Sequence, residues 1–151
     1  MRHARKVMLS LTALAALTAV AGPRPAHAAV SLGVGASYLL EPEQGEFQLT
    51  LAADTPIARH LTVGGRFGAA LFTGPDRVGV PIDLRLRARF QRLYVEGLIG
   101  PWIVFNEDDA LKFHGAVGFG LAARQVSFGL EVGYLTSPST GMLGVVLAFP
   151  L

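Results

Sequence analysis

Arg85, Arg87 and Arg89 recur at every second position and share one face of an extended segment with Pro81 and Asp83. Val80, Ile82, Leu84, Leu86, Ala88 and Phe90 make up the other face. A helix would scatter those arginines around its axis; a strand sets them on one side. Guanidinium groups held in a row can pair with carboxylates as a structural plug, or they can hold an anion or line a gated pore. If Gln91-Arg92 is a tight two-residue turn, Arg87 falls opposite Glu96 and Arg89 opposite Tyr94 on the next strand. Opposite charges facing each other across a strand pair stabilise the sheet. Arg66, Asp83, Lys112 and Glu131, together with Glu46, can join them. The candidate site is therefore a charge network of Arg66, Asp83, Arg85, Arg87, Arg89, Glu96, Lys112 and Glu131. Buried charges need partners, and this set contains both signs, so a plug of salt bridges is the expectation.

Other constellations carry less. His114, Ser127 and Glu131 share a predicted hairpin and a face. With Arg124-Gln125 as the turn, Ser127 pairs with Ala122, eight residues along the strand from His114. That separation is roughly 26 Å at about 3.3 Å per residue, far outside the hydrogen-bond reach of a triad. His60 has no serine or acid pattern near it. Asn106-Glu107-Asp108-Asp109 clusters carboxylates that could suit calcium, but it lacks the spacing and glycine of a calcium loop. It reads as a solvated turn. Gly33-Val34-Gly35 and Gly118-Phe119-Gly120 lie inside predicted strands, where alternate glycines make room or permit curvature. There is no cysteine, which excludes disulfides, thiolate zinc sites and a thiol nucleophile. No catalytic residue, cofactor site or metal site is expected.

The elements that must position the charges are strands. Period-2 alternation recurs along 30–40, 46–54, 59–71, 80–90, 93–104, 111–123, 126–136 and 142–149. Eight strands of this length suit a tilted crossing of a bilayer. Their connections alternate too. Gln91-Arg92 and Arg124-Gln125 are tight, and 54–58 is short, whereas 41–45, 72–79, 105–110 and 137–141 are longer. Short turns at one end and longer loops at the other are the layout of an outer-membrane barrel, with both chain ends on the short-turn side, facing the periplasm.

Alternation alone fits a soluble lipocalin-like barrel binding an apolar ligand as well as a membrane barrel, which has the reverse polarity. The less apolar face decides between them. It is mostly Gly, Ala, Ser and Thr with a few arginines and acids, and Lys112 is the single lysine after residue 28. A water-facing surface would carry far more charge. Tyr38, Phe72, Phe90, Trp102, Phe105, Tyr134 and Phe149 fall near strand ends, where aromatic girdles belong. Residues 29–151 are thus read as an all-β, eight-stranded antiparallel up-and-down transmembrane β-barrel, expected to be a monomer.

On this pattern the chain resembles the eight-stranded outer-membrane barrels, the group of OmpX and the OmpA transmembrane domain. The resemblance implies outer-membrane lipid and lipopolysaccharide around the barrel, and a last strand read by the barrel-assembly machinery. Leu143, Val145, Leu147 and Phe149 alternate as such a strand does, but Pro150 and Leu151 follow the aromatic residue. Some barrels of this size are lipid A-modifying enzymes, which keeps that activity as an alternative to a structural or interaction role.

Residues 1–28 read as an export signal. Arg2, Arg5 and Lys6 precede the apolar stretch from Val7 to Ala21, Gly22-Pro23 breaks it, and Ala26-His27-Ala28 has the small-x-small form. The stretch is shorter than the ~20 residues of a spanning helix. With cleavage after Ala28, nine basic residues face eleven acidic ones, a balance of −2. The basic character of the whole chain then resides in the leader and gives no argument for nucleic-acid binding.

Overall fold

The computed structural model describes residues 28–74, 77–137 and 139–151. The expected export signal lies outside the described residues, apart from Ala28. Eight strands follow in order: β1 Ala29–Leu39, β2 Gln44–Ala58, β3 Leu61–Phe72, β4 Arg77–Phe90, β5 Leu93–Val104, β6 Leu111–Ala122, β7 Ser127–Leu135 and β8 Thr140–Pro150. Each pairs antiparallel with its sequence neighbours, and β1 pairs with β8, so the sheet closes into a barrel without edges.

The registers follow from the turns. The Gln91-Arg92 turn places Arg87 opposite Glu96 and Arg89 opposite Tyr94. The β6–β7 connection places Ser127 opposite Ala122. The β2–β3 turn differs from the sequence expectation. β2 runs on through Asp54 to Ala58, with an irregularity between Pro56 and Ala58, and the chain reverses at Arg59-His60. Pro56 is accommodated because it lies at the rim, next to the irregularity, where a missing N–H disturbs little of the ladder.

The barrel is inside out relative to a soluble carrier. Leu49, Leu84, Ile99, Val117, Phe119 and Val132 point outward from mid-strand positions. Gln48, Arg66, Asp83, Glu96, His114 and Glu131 are buried within. A lipocalin-like carrier needs the opposite arrangement, so that reading falls: an outer wall of Leu, Val, Ile and Phe calls for lipid around it. The enclosed space is narrow, and small residues make it usable. A Cβ at Gly129 would lie 2.1 Å from the Tyr94 hydroxyl, and one at Gly118 would lie 2.9 Å from Glu96 Cγ. These glycines leave room for the long side chains opposite them.

Two of the seven aromatic residues expected at the girdles are inside instead. Trp102 is fully buried and Phe72 nearly so, whereas Tyr38, Phe90, Phe105, Tyr134 and Phe149 face outward. The reason is parity: Trp102 shares its face of β5 with Glu96, and Phe72 shares its face of β3 with Arg66. Together with Leu39, Ala70, Val104, Leu135 and Met142 they form an apolar layer across the bore at the longer-loop end.

Candidate functional site in the lumen

β3, β4 and β7 place Arg66, Asp83 and Glu131 on inward positions at mid-barrel. Arg66 donates through Nε and Nη2 to Asp83 Oδ2 at 3.1 and 2.8 Å, and through Nη1 to Glu131 Oε2 at 2.8 Å. The planar fork of a guanidinium lets one side chain hold two carboxylates in this way. The other oxygen of Asp83 accepts from Trp102 Nε1 at 3.2 Å and lies 2.9 Å from His114 Nδ1. The Trp102 and His114 rings lie 4.6 Å apart between centroids. His114 Nε2 is 3.8 Å from Glu131 Oε1. One buried cluster therefore ties five strands together, β3 to β7, with Arg66 reaching β7 across the bore.

A second cluster lies nearer the short turns. Arg87 donates through Nε to Glu96 Oε2 at 2.9 Å, and its guanidinium sits over the Tyr94 ring at 4.3 Å from the centroid. Arg85 donates through Nε to Asp54 Oδ1 at 3.0 Å, pairs again with Oδ2 of the same carboxylate, and stands 3.8 Å from Glu96. Inside a narrow, low-dielectric lumen such pairing is what makes the charges tolerable.

Of the eight residues singled out in the sequence, six fall in these two clusters: Arg66, Asp83, Arg85, Arg87, Glu96 and Glu131. The other two stand apart. Lys112 lies at the longer-loop end, where it pairs with Glu107 and donates to the Ser137 carbonyl. Arg89 is exposed at the short-turn mouth, one residue from the end of β4, and makes no ion pair among the described residues. Glu46 is buried, faces Ser37 across the β1–β2 pair, and has neither carboxylate oxygen in hydrogen-bonding geometry.

Three further participants stand outside the residues singled out in the sequence. Asp54 was assigned to a turn, yet it continues the inward series of Gln48, Thr50 and Ala52, a parity that marks it once β2 is extended. His114 stands in the sequence only as a histidine too far from Ser127 for a triad, and nothing local shows that Asp83 reaches it from β4. Glu107 was read as part of a solvated turn, but it turns back over the bore to Arg77 and Lys112. Below this polar cap, the space between Leu39, Phe72, Val104 and Leu135 and the charges above is about 10 Å³, room for about one water.

The catalytic alternatives do not assemble among the described residues. His114 is engaged by Asp83, whereas the Ser127 hydroxyl donates to the Ala148 carbonyl at 3.4 Å. His60 lies on the β2–β3 turn, stacked on Phe90 with 6.2 Å between ring centroids. No group of three or more His, Asp or Glu among the described residues could hold a metal ion.

No family model and no curated protein matches the sequence. Solved structures do match it. A de novo designed transmembrane β-barrel superposes with a TM-score of 0.64 at 10% identity, over 87% of this chain and 100% of the design. The outer-membrane enzyme PagL superposes with a TM-score of 0.66 at 12% identity, over 80% of this chain and 99% of its own. Ail, the attachment invasion locus protein of Yersinia pestis, does so with a TM-score of 0.54 at 15% identity, over 84% of this chain and 99% of its own. At these identities the likeness is one of fold. This chain has the fold of the small eight-stranded outer-membrane barrels, and it has the lipid-facing outer wall such a fold requires.

Proposed function

We propose that this chain is a non-enzymatic barrel of the bacterial outer membrane with a structural or interaction role, its lumen closed to solutes. The observation that carries this reading is the Arg66 bridge to Asp83 and Glu131, which crosses the bore beneath an apolar layer. An eight-stranded barrel has an interior just wide enough for side chains to fill, and here charged and apolar layers fill it in turn. The partners of this reading are outer-membrane lipid and lipopolysaccharide around the wall, and the barrel-assembly machinery during insertion. β8 supports the last of these, since Leu143, Val145, Leu147 and Phe149 all face outward. A monomer suffices, because closure leaves no free sheet edge. The leader of residues 1–28 would be removed after Ala28, which the mass of the membrane-embedded form reads directly.

The test is electrical. The barrel, identified by heat-modifiable migration in detergent, is expected to give no stable single-channel steps in planar bilayers. Large steady steps would overturn the closed-lumen reading. Recovery in detergent-free periplasmic extract would overturn the membrane assignment.

A further inference from the structure

The basic residues divide unequally between the two ends of the barrel. Nine lie in residues 29–151. Five of them, Arg66, Arg77, Arg85, Arg87 and Lys112, have a carboxylate within salt-bridge distance. The remaining four, Arg59, Arg89, Arg92 and Arg124, have none among the described residues, and all four are exposed at the short-turn mouth.

They converge there from three different connections. Arg59 sits on the β2–β3 turn, Arg92 on the β4–β5 turn, and Arg124 between β6 and β7; Arg89 ends the inward series of β4. Backbone hydrogen bonds hold these turns side by side. Arg89 N donates to the His60 carbonyl at 2.8 Å, and Ala122 N donates to the Arg92 carbonyl at 2.6 Å. Open cavities result, two of them large. One of about 590 Å³ is lined by Arg59, His60, Arg87 and Arg89, and one of about 650 Å³ by Arg89, Arg92 and Arg124. Asp54 is the one acid lining this mouth among the described residues, and Arg85 already holds both of its oxygens.

We propose that this vestibule is a binding site for phosphate-bearing anions, with Arg89 at its centre and Arg59, Arg92 and Arg124 around it. Arg89 is the central residue because it lines both cavities. Four unpaired guanidinium groups in a concavity with low-dielectric walls concentrate a positive field. Their forked donors match the oxygens of phosphate better than a point charge does. The floor of the vestibule is the Arg87–Glu96 layer, so a ligand would dock without passing through. The phosphate could belong to a soluble compound or to a lipid headgroup of the adjoining leaflet.

The experiment uses the barrel in phosphatidylcholine nanodiscs, titrated calorimetrically with inorganic pyrophosphate. Binding that weakens at least tenfold in Arg89→Gln/Arg124→Gln is the expected result. Should that variant lose heat-modifiable migration, Arg59→Gln/Arg92→Gln, altered only on turns, reads the same loss. Pyrophosphate binding suppressed in phosphatidylglycerol nanodiscs identifies a headgroup as the phosphate source; binding retained there identifies a soluble compound. Absence of binding in phosphatidylcholine nanodiscs, or equal binding by parent and variants, overturns the site.

Discussion

Arg66 on β3 reaches Glu131 on β7, four strands away around the barrel, with Nη1 donating to Oε2 at 2.8 Å. No strand pairing brings these two residues together, since β3 and β7 share no ladder. The contact exists because the sheet closes on itself, and it holds opposite walls at a fixed separation. The same guanidinium holds Asp83 on the adjacent strand, so a single side chain bridges two buried carboxylates.

Replacing Arg66 with methionine keeps the bulk and removes the cation. Asp83 and Glu131 then remain buried without it. Breaking a buried pair in this way costs about 3–5 kcal/mol. A lower urea midpoint for the folded, heat-modifiable form is expected. Adding Glu131→Gln removes one of the stranded charges, so the double variant should be more stable than the additive sum, by about 0.5–3 kcal/mol for residues in one network. An Arg66→Met barrel as stable as the parent would show that the bridge is incidental.

Trp102 is the chain's one tryptophan. It is fully buried in the lumen, with its indole N–H on Asp83. Its emission should therefore resist quenching by lipids brominated along the acyl chain, and by acrylamide as well. A girdle tryptophan, in contact with lipid, would be quenched strongly by the brominated chains. That outcome would reverse the parity assigned to β5.

Glu46 is a buried carboxylate whose oxygens take no hydrogen bond. A buried carboxyl without a hydrogen-bond partner opposes folding, whether it keeps a proton or carries a charge. Glu46→Gln keeps the shape and is neutral without taking up a proton, so it should raise stability by about 1 kcal/mol at alkaline pH, read as an upward shift of the urea midpoint followed by Trp102 emission. A downward shift would mean that the charge itself is used, for instance to balance Arg66.

Much of this architecture was legible because a strand's two faces repeat every second residue. Eight alternating segments with short turns between alternate pairs lead to eight strands and to their chain order. The Gln91-Arg92 turn is enough to place Arg87 against Glu96. Legibility failed where both faces are apolar. Near the longer loops the bore itself is lined by Leu39, Phe72, Trp102 and Leu135, so hydrophobicity no longer marks the outward side and Trp102 was assigned to the girdle. Parity counted from Glu96 carries the right answer where composition does not. Asp54 is hidden for a related reason: the sequence places it at a short 54–58 connection, but β2 absorbs Pro56 at the rim and brings Asp54 to Arg85.

The sequence by itself determined the alternation, the number of strands, the local registers and the sign of the two faces. These depend on neighbours along the chain or across a tight turn, and on the period of an extended backbone. The tertiary structure decided which charges meet. Arg66 finds Glu131, and Asp83 finds His114, because closure and strand stagger set distances between strands that are not sequence neighbours. It likewise left Arg89 outside the paired network and beside Arg59, Arg92 and Arg124, since only the closed barrel gathers three separate turns around one mouth.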